Sequence, residues 1–136
     1  MSTPLVSVIM NCYNGEQFLR EAIDSIYEQT YQNWEIIFWD NASTDNSAAI
    51  AQSYDNRLRY YLSEGFTSLG MARELAVQKS NGEYVAFLDC DDFWHHSKLS
   101  MQIPLFFRHE DVGVVYSNYW IVNSEMRGRP VFMRTG

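Results

Sequence analysis

Three carboxylates stand within four positions in "FLDCDD": Asp89, Asp91 and Asp92, directly after the apolar run "YVAFL". Two carboxylates about 6 Å apart repel by roughly 3 kcal/mol at an effective dielectric near 20. A divalent cation between them, a shared proton or screening water removes that cost. Asp offers the hard oxygen donors that Mg2+ and Mn2+ take, and Mg2+ typically keeps one or two carboxylates while substrate phosphates complete its shell. Asp89 and Asp91 therefore read as a clamp for a metal–diphosphate unit. The plainer reading is an acidic turn that also caps a helix starting near Ser97.

Other polar groups stand at two earlier strand ends. Asp40 follows "WEIIFW", where an acidic residue accepts hydrogen bonds from a ribose or base, or else serves as a cap or turn residue. "NCYN" offers the Asn11 amide and the Tyr13 ring as a stacking surface, each equally at home in plain loop structure. Arg73 is either an exposed solubilising charge or a guanidinium facing phosphates. Cys12 and Cys90 are too few for a disulfide framework and read as reduced packing residues on neighbouring strands. His95 and His96 read as flanks of the next helix rather than metal ligands.

The elements that must position these groups alternate. "LVSVIM" (5–10), "WEIIFW" (34–39), "LRYYL" (58–62) and "YVAFL" (84–88) are strand-like, and "VGVVYSNYWIV" (112–122) is a candidate fifth strand. Between them, Phe18, Leu19, Ala22, Ile23, Ile26 and Tyr27 recur at helical spacing from Glu16, with Asn14 as the expected N-cap and Gln17 three residues on. Ser43 or Thr44 is expected to cap a helix running to about Tyr54. A third helix spans about Leu69 to Ser80, stopped by Asn81-Gly82. A fourth runs from Ser97 to Ile103 and kinks or breaks at Pro104. Strands apolar on both faces, alternating with helices, imply an α/β domain over residues 1–136: a Rossmann-like, mostly parallel sheet with helices on both faces. Ligands in such sheets sit at the carboxyl ends of the strands, where all three clusters fall.

The bulk properties narrow the partners. In 136 residues the net charge is −7, which argues against nucleic acid. Nucleotides stay open, since a cation supplies the missing positive charge. Hydrophobic residues at 46% suffice for a core. No run reaches the roughly 18 to 20 apolar residues of a membrane helix, and "MSTPLVSVIM" lacks a signal peptide's charged start, so a cytoplasmic location is expected.

Taken together, "VSVIMNCYNGEQFLREAIDSIYEQTYQNWEIIFWDNASTDNS" and "GEYVAFLDCDD" resemble family 2 glycosyltransferases over nearly the whole chain to Asn123. The resemblance implies a GT-A fold and transfer of a sugar, with inversion, from a nucleotide-sugar donor (UDP-sugar expected) to a glycan or lipid-linked acceptor. It implies that Asn11, Tyr13, Asp40, Arg73 and Asp89 border the nucleotide. Asp91 with Asp89 would hold Mn2+ or Mg2+, and Asp92 would stand behind them. It also implies a general base supplied by an acceptor half beyond Gly136, so that this N-terminal portion binds without turning over, in a parent protein at the inner face of the membrane. A homodimer through open sheet edges is a further expectation. Asn11-Cys12 stands where the family usually has Pro-Thr, and Asn41 where it often has Asp. Glu74 departs from the common Ala-Arg-Asn, and Asn118 replaces a frequent Asp. The rivals are a non-catalytic nucleotide-binding or interaction module and a Mg2+-dependent phosphatase of haloacid dehalogenase type.

Overall fold

The computed structural model describes residues 3–117, 120–121 and 131–132. The chain divides into two compact units, residues 1–100 and 101–136. In the first, β1 (Val6–Cys12), β2 (Trp34–Asp40), β3 (Leu58–Leu62) and β4 (Tyr84–Phe87) form a parallel sheet in the order β3-β2-β1-β4. The intervening helices are α1 (Glu16–Tyr27), α2 (Ser47–Gln52) and α3 (Leu69–Val77).

Side chains alternate across the pleat, and this parity sorts the core into two layers. Ile9, Ile37, Trp39 and Tyr61 share one face, where Ala72 and Ala76 of α3 pack on them. Small residues at those two helix positions let α3 sit close to the sheet. Val8, Met10, Ile36 and Phe38 line the opposite face and are fully buried. There the Tyr27 ring of α1 meets Trp34 edge-on at 4.7 Å, and α2 touches β2 and β3.

The N-terminal edge of the sheet is tied by polar contacts. Ser7, buried mid-strand, donates to Glu35 at 2.7 Å and accepts from the Gly82 N–H at 2.8 Å. Glu35 also takes the Asn81 N–H and the Arg59 guanidinium. Burial would raise the Glu35 carboxyl, but these donors hold it below its ordinary range. Gly82 has no room for a side chain: a Cβ would lie 2.6 Å from Ser7 N and Oγ and 2.8 Å from Leu5 O. Gly82→Ala is therefore expected to cost about 2–3 kcal/mol by overpacking, seen as a lower urea midpoint at unchanged slope.

Five expectations need correction. Strand β4 is not covered on both faces. It is the sheet edge, with Val85 40% and Phe87 51% exposed, because α3 packs on β1 and β2 instead. Helix α2 begins at Ser47 rather than near Ser43, and α3 ends at Val77, its exit tightened by Lys79 and Ser80 N–H bonds three residues back. Helix α4 (Lys98–Arg108) runs through Pro104, forgoing one hydrogen bond to the Ser100 carbonyl. Residues 112–117 form no strand despite three valines, since no neighbour among the described residues pairs with them. The expected fifth strand is present only at Trp120–Ile121 (β5), which pairs antiparallel with β6 (Val131–Phe132) in the second unit. Asn118 lies outside the described residues. Among them, no helix is long and apolar enough to cross a membrane.

Candidate active site

The loops leaving β1 and β2 latch onto each other. Asn14, at φ 50°, turns its amide oxygen to the Thr44 and Asp45 N–H groups at 2.7 and 3.3 Å. In return Ser43 Oγ accepts from Asn14 N, and Ser47 Oγ from Gly15 N, both at 3.0 Å. Asp45 accepts from Glu16 N at the start of α1, while Glu16 accepts from Asn46 N at the start of α2. Each loop thus satisfies the orphan N–H groups of the other's helix. Asn14 caps neither helix locally, contrary to the expectation, and α1 carries no side-chain cap of its own.

Beneath this latch lies Asp40. It is 1% exposed, and its two oxygens accept from Ser43 N at 2.8 Å and Tyr60 Oη at 2.6 Å. Burial, then this bond, pushes the Tyr60 hydroxyl well above its ordinary value. The expectation that Asp40 opens onto the ligand crevice is corrected here. Pleat parity turns it to the face of Phe38 and Tyr60, where it braces the turn. Its neighbour Asn41 is also buried and clamps the loop before α3: its Oδ1 accepts from Thr67 N and Oγ1, and its Nδ2 donates to Thr67 O at 2.8 Å.

A cleft of about 390 Å³ opens between the ends of β1 and β4 and the start of α1, lined by Asn11, Tyr13, Gln17, Asp89, Cys90 and Asp91 among others. Asn11 Nδ2 is buried there without a hydrogen-bond partner among the described residues, a donor that a ligand oxygen would satisfy. Tyr13, 54% exposed, meets the exposed Phe66 edge-on at 4.9 Å. Carboxylate oxygens of Asp89, Asp91 and Asp92 all lie within 4.8 Å of one another on an exposed turn. Asp92 lies close beside the other two, while only Asp89 and Asp91 line the cleft. Three hard oxygens on an open turn, with room for water and phosphate, fit Mg2+ or Mn2+. Arg73 reaches Asp89 at 3.5 Å and lies over the Phe87 ring, so it borders the acidic turn. A second depression, of about 400 Å³, sits at the other end of the sheet around Thr3, Thr30 and Asn33, away from these groups.

Below the cleft floor the two thiols meet. The Cys90 S–H is within reach of Cys12 Sγ and of Asn11 O, the latter at 3.1 Å. That contact, helped by Ser47 and the Gly15 N–H, holds the Cys12 thiol down at about 7 against burial and Asp40. The same contact and burial push Cys90 far up. His95 and His96 act mainly through backbone. Their carbonyls accept from Gln29 Nε2 and Thr30 N, and Gln29, 1% exposed, also receives the Leu99 N–H. This joins the end of α1 to the start of α4.

Residues 7–133 match Glycosyl transferase family 2. The chain belongs to that family. A relative from Escherichia coli, UDP-Glc:alpha-D-GlcNAc-diphosphoundecaprenol beta-1,3-glucosyltransferase WfgD, is 36% identical over 125 residues, which is 91% of this chain and 49% of the relative. The S. aureus TarS 1-349 structure in complex with UDP-GlcNAc superposes with a TM-score of 0.73 at 25% identity, covering 89% of this chain and 42% of that one. The mannosyltransferase PcManGT from Pyrobaculum calidifontis, in complex with GDP-Man and Mn2+, gives 0.62 at 30% identity over 67% of this chain and 28% of its own. The chain therefore spans about half or less of the length of these proteins. Its fold is the GT-A type, a mostly parallel α/β sheet, as expected. Family membership displaces the phosphatase alternative.

Within the family's motifs, the geometry separates scaffold from cleft. Asn14, Ser43 and Asp45 bind loop to loop, Asp40 braces them from below, and Gln29 joins two helices. Asn11, Tyr13, Asp89 and Asp91 line the cleft. Phe66 gave no signal in the sequence, since a single aromatic in a loop has no period to mark it.

Proposed function

We propose that this chain forms the donor-binding half of an inverting, metal-assisted glycosyltransferase that takes a UDP-sugar. The observation that carries this is the convergence of the Asp89 and Asp91 carboxylates, with Asp92 beside them, on the cleft that Asn11 and Tyr13 also line. The names of its relatives support it: WfgD is called a UDP-Glc transferase, and TarS holds UDP-GlcNAc. In this reading Tyr13, with Phe66 at its edge, presents aromatic surface to the base, and the Asn11 amide donates to the nucleotide. Asp89 and Asp91, joined by Asp92, hold Mn2+ or Mg2+. When bound, the cation would neutralise charge developing on the departing nucleoside diphosphate. Arg73 steadies Asp89 and faces the phosphates. Asp40 acts on the nucleotide indirectly, by fixing the turn beside it.

The acceptor is a glycan or lipid-linked hydroxyl, consistent with the diphosphoundecaprenol in the name of WfgD, at the cytoplasmic face of a membrane. The general base comes from outside residues 1–136. Self-association, where it occurs, uses the open edge of β4. Calorimetric titration with UDP, GDP and dTDP, each with and without Mn2+, tests the core of this reading. UDP binding that requires Mn2+ is the expected result. Equal binding of all three, or binding indifferent to Mn2+, would overturn it, and sugar transfer by this chain alone would overturn the placement of the base.

A further inference from the structure

Cys12, at the end of β1, and Cys90, in the turn after β4, bring their thiols together below the cleft although they lie far apart in the chain. Counting on from the pair Ile9↔Phe87 sets Cys12 opposite Cys90, and the Leu88 N–H bond to Ile9 O continues that ladder past the strand's end. Adjacent strands run about 4.8 Å apart, inside the roughly 4.4–6.8 Å between Cα atoms that a disulfide spans. Both side chains also turn to the same side. A Cβ placed on Gly15 would sit 3.0 Å from Cys12 Sγ, 3.1 Å from Cys90 Cβ and 3.9 Å from Cys90 Sγ. Gly15 has no such atom, and it lines the cleft, so a small gap remains beside the sulfurs. Both cysteines are free thiols, 2% and 8% exposed.

We propose that Cys12 and Cys90 are a dithiol site that a peroxide converts to a disulfide, fastening the acidic turn to the end of β1. The Cys12 thiolate attacks one peroxide oxygen, giving a sulfenic acid and releasing the other oxygen as hydroxide or alkoxide, which takes up a proton. The Cys90 sulfur then displaces the sulfenic hydroxyl, the S–S bond forms, and the Cys90 proton leaves with that oxygen as water. The two thiols lose two electrons and the peroxide gains them. Cys90 donates its S–H to Asn11 O at 3.1 Å, which keeps it protonated, so Cys12 is the attacking partner, since thiolate is the reactive form. A disulfide here would hold residue 90 between Asp89 and Asp91, so the modification acts on the backbone that carries both carboxylates.

The site itself does not depend on the nucleotide reading. Reduced protein, freed of reductant, is exposed to hydrogen peroxide, and its non-reduced peptides are mapped by mass spectrometry. The expected product is a pair of peptides joined through Cys12 and Cys90, lighter by two hydrogens and separated again by dithiothreitol. Cys90→Ser should block the link and let oxygen atoms accumulate on Cys12. Oxygen addition in the unaltered protein with no joined peptides, or two thiols that stay fully alkylatable, would overturn the site. A second arm adds UDP and Mn2+ at concentrations where calorimetry detects binding. Slower joining is expected if the peroxide enters by the nucleotide cleft, and an unchanged rate with nucleotide bound would overturn that route alone.

Discussion

Asp91→Asn should abolish Mn2+-dependent UDP binding, lowering affinity at least ~100-fold, while the melting temperature holds or rises. Changes behind the ligand shell of a metal typically cost 10–100-fold, so losing an anionic ligand should cost no less. The opposite sign for stability follows from the crowding. Oxygens of Asp89, Asp91 and Asp92 lie within 4.8 Å of one another, all on exposed residues. At that separation each pair repels by about 1–3 kcal/mol between dielectrics of 80 and 20, and the solvated end of that range applies here. Removing one charge relaxes the metal-free protein and disables the metal-bound one. An acidic turn that merely solvates the surface would show unaltered nucleotide binding. Calorimetry and a thermal melt on the same variant separate the two, and stronger or equal UDP–Mn2+ binding would remove the clamp from the proposal.

Some of this was legible in the amino-acid order and some was hidden for identifiable reasons. The parallel sheet was visible because its strands are β-branched or aromatic runs cut off by turn residues, and "LRYYL" coincides with β3. The cleft was visible because the acidic turn and "NCYN" each follow such a run. The starts of α1 and α3 fell where expected, but the cap of α1 and the start of α2 were misplaced because capping was sought within each helix. Asn14, Ser43 and Asp45 instead serve a helix about thirty positions away, a partner that no local pattern contains. Asp40 was correctly placed at a strand end, but which way it faces depends on pleat parity and on Tyr60 from β3. The exposure of β4 was missed because apolar composition on both faces reports what could be buried, and the placement of α3 decides what is. Conversely, α4 tolerates Pro104 because one lost hydrogen bond weighs little beside the rest of an eleven-residue helix.

Asn41 gives the sharpest stability test, because this chain carries an amide where the family often has a carboxylate. Asn41→Asp should destabilise the fold by about 2–4 kcal/mol at pH 7. The geometry leaves the amide one orientation: its oxygen meets the Thr67 N–H and hydroxyl, and its nitrogen meets the Thr67 carbonyl at 2.8 Å. A carboxylate keeps the first contacts and turns the last into a confrontation of two oxygens at a position 6% exposed. Burial and that carbonyl both favour the protonated acid, which can donate again, so the introduced carboxyl has a folded pKa above its unfolded value of about 3.9. Its stability contribution is then greatest below the unfolded pKa and falls as pH rises through the folded one. The deficit relative to the parent protein should therefore be small near pH 4 and full at pH 7, by urea denaturation at the two values. An equal deficit at both would mean that the donated hydrogen bond is not what Asn41 contributes. A pH-dependent deficit would tie the loop bearing Phe66, and with it the aromatic edge at Tyr13, to a single neutral amide.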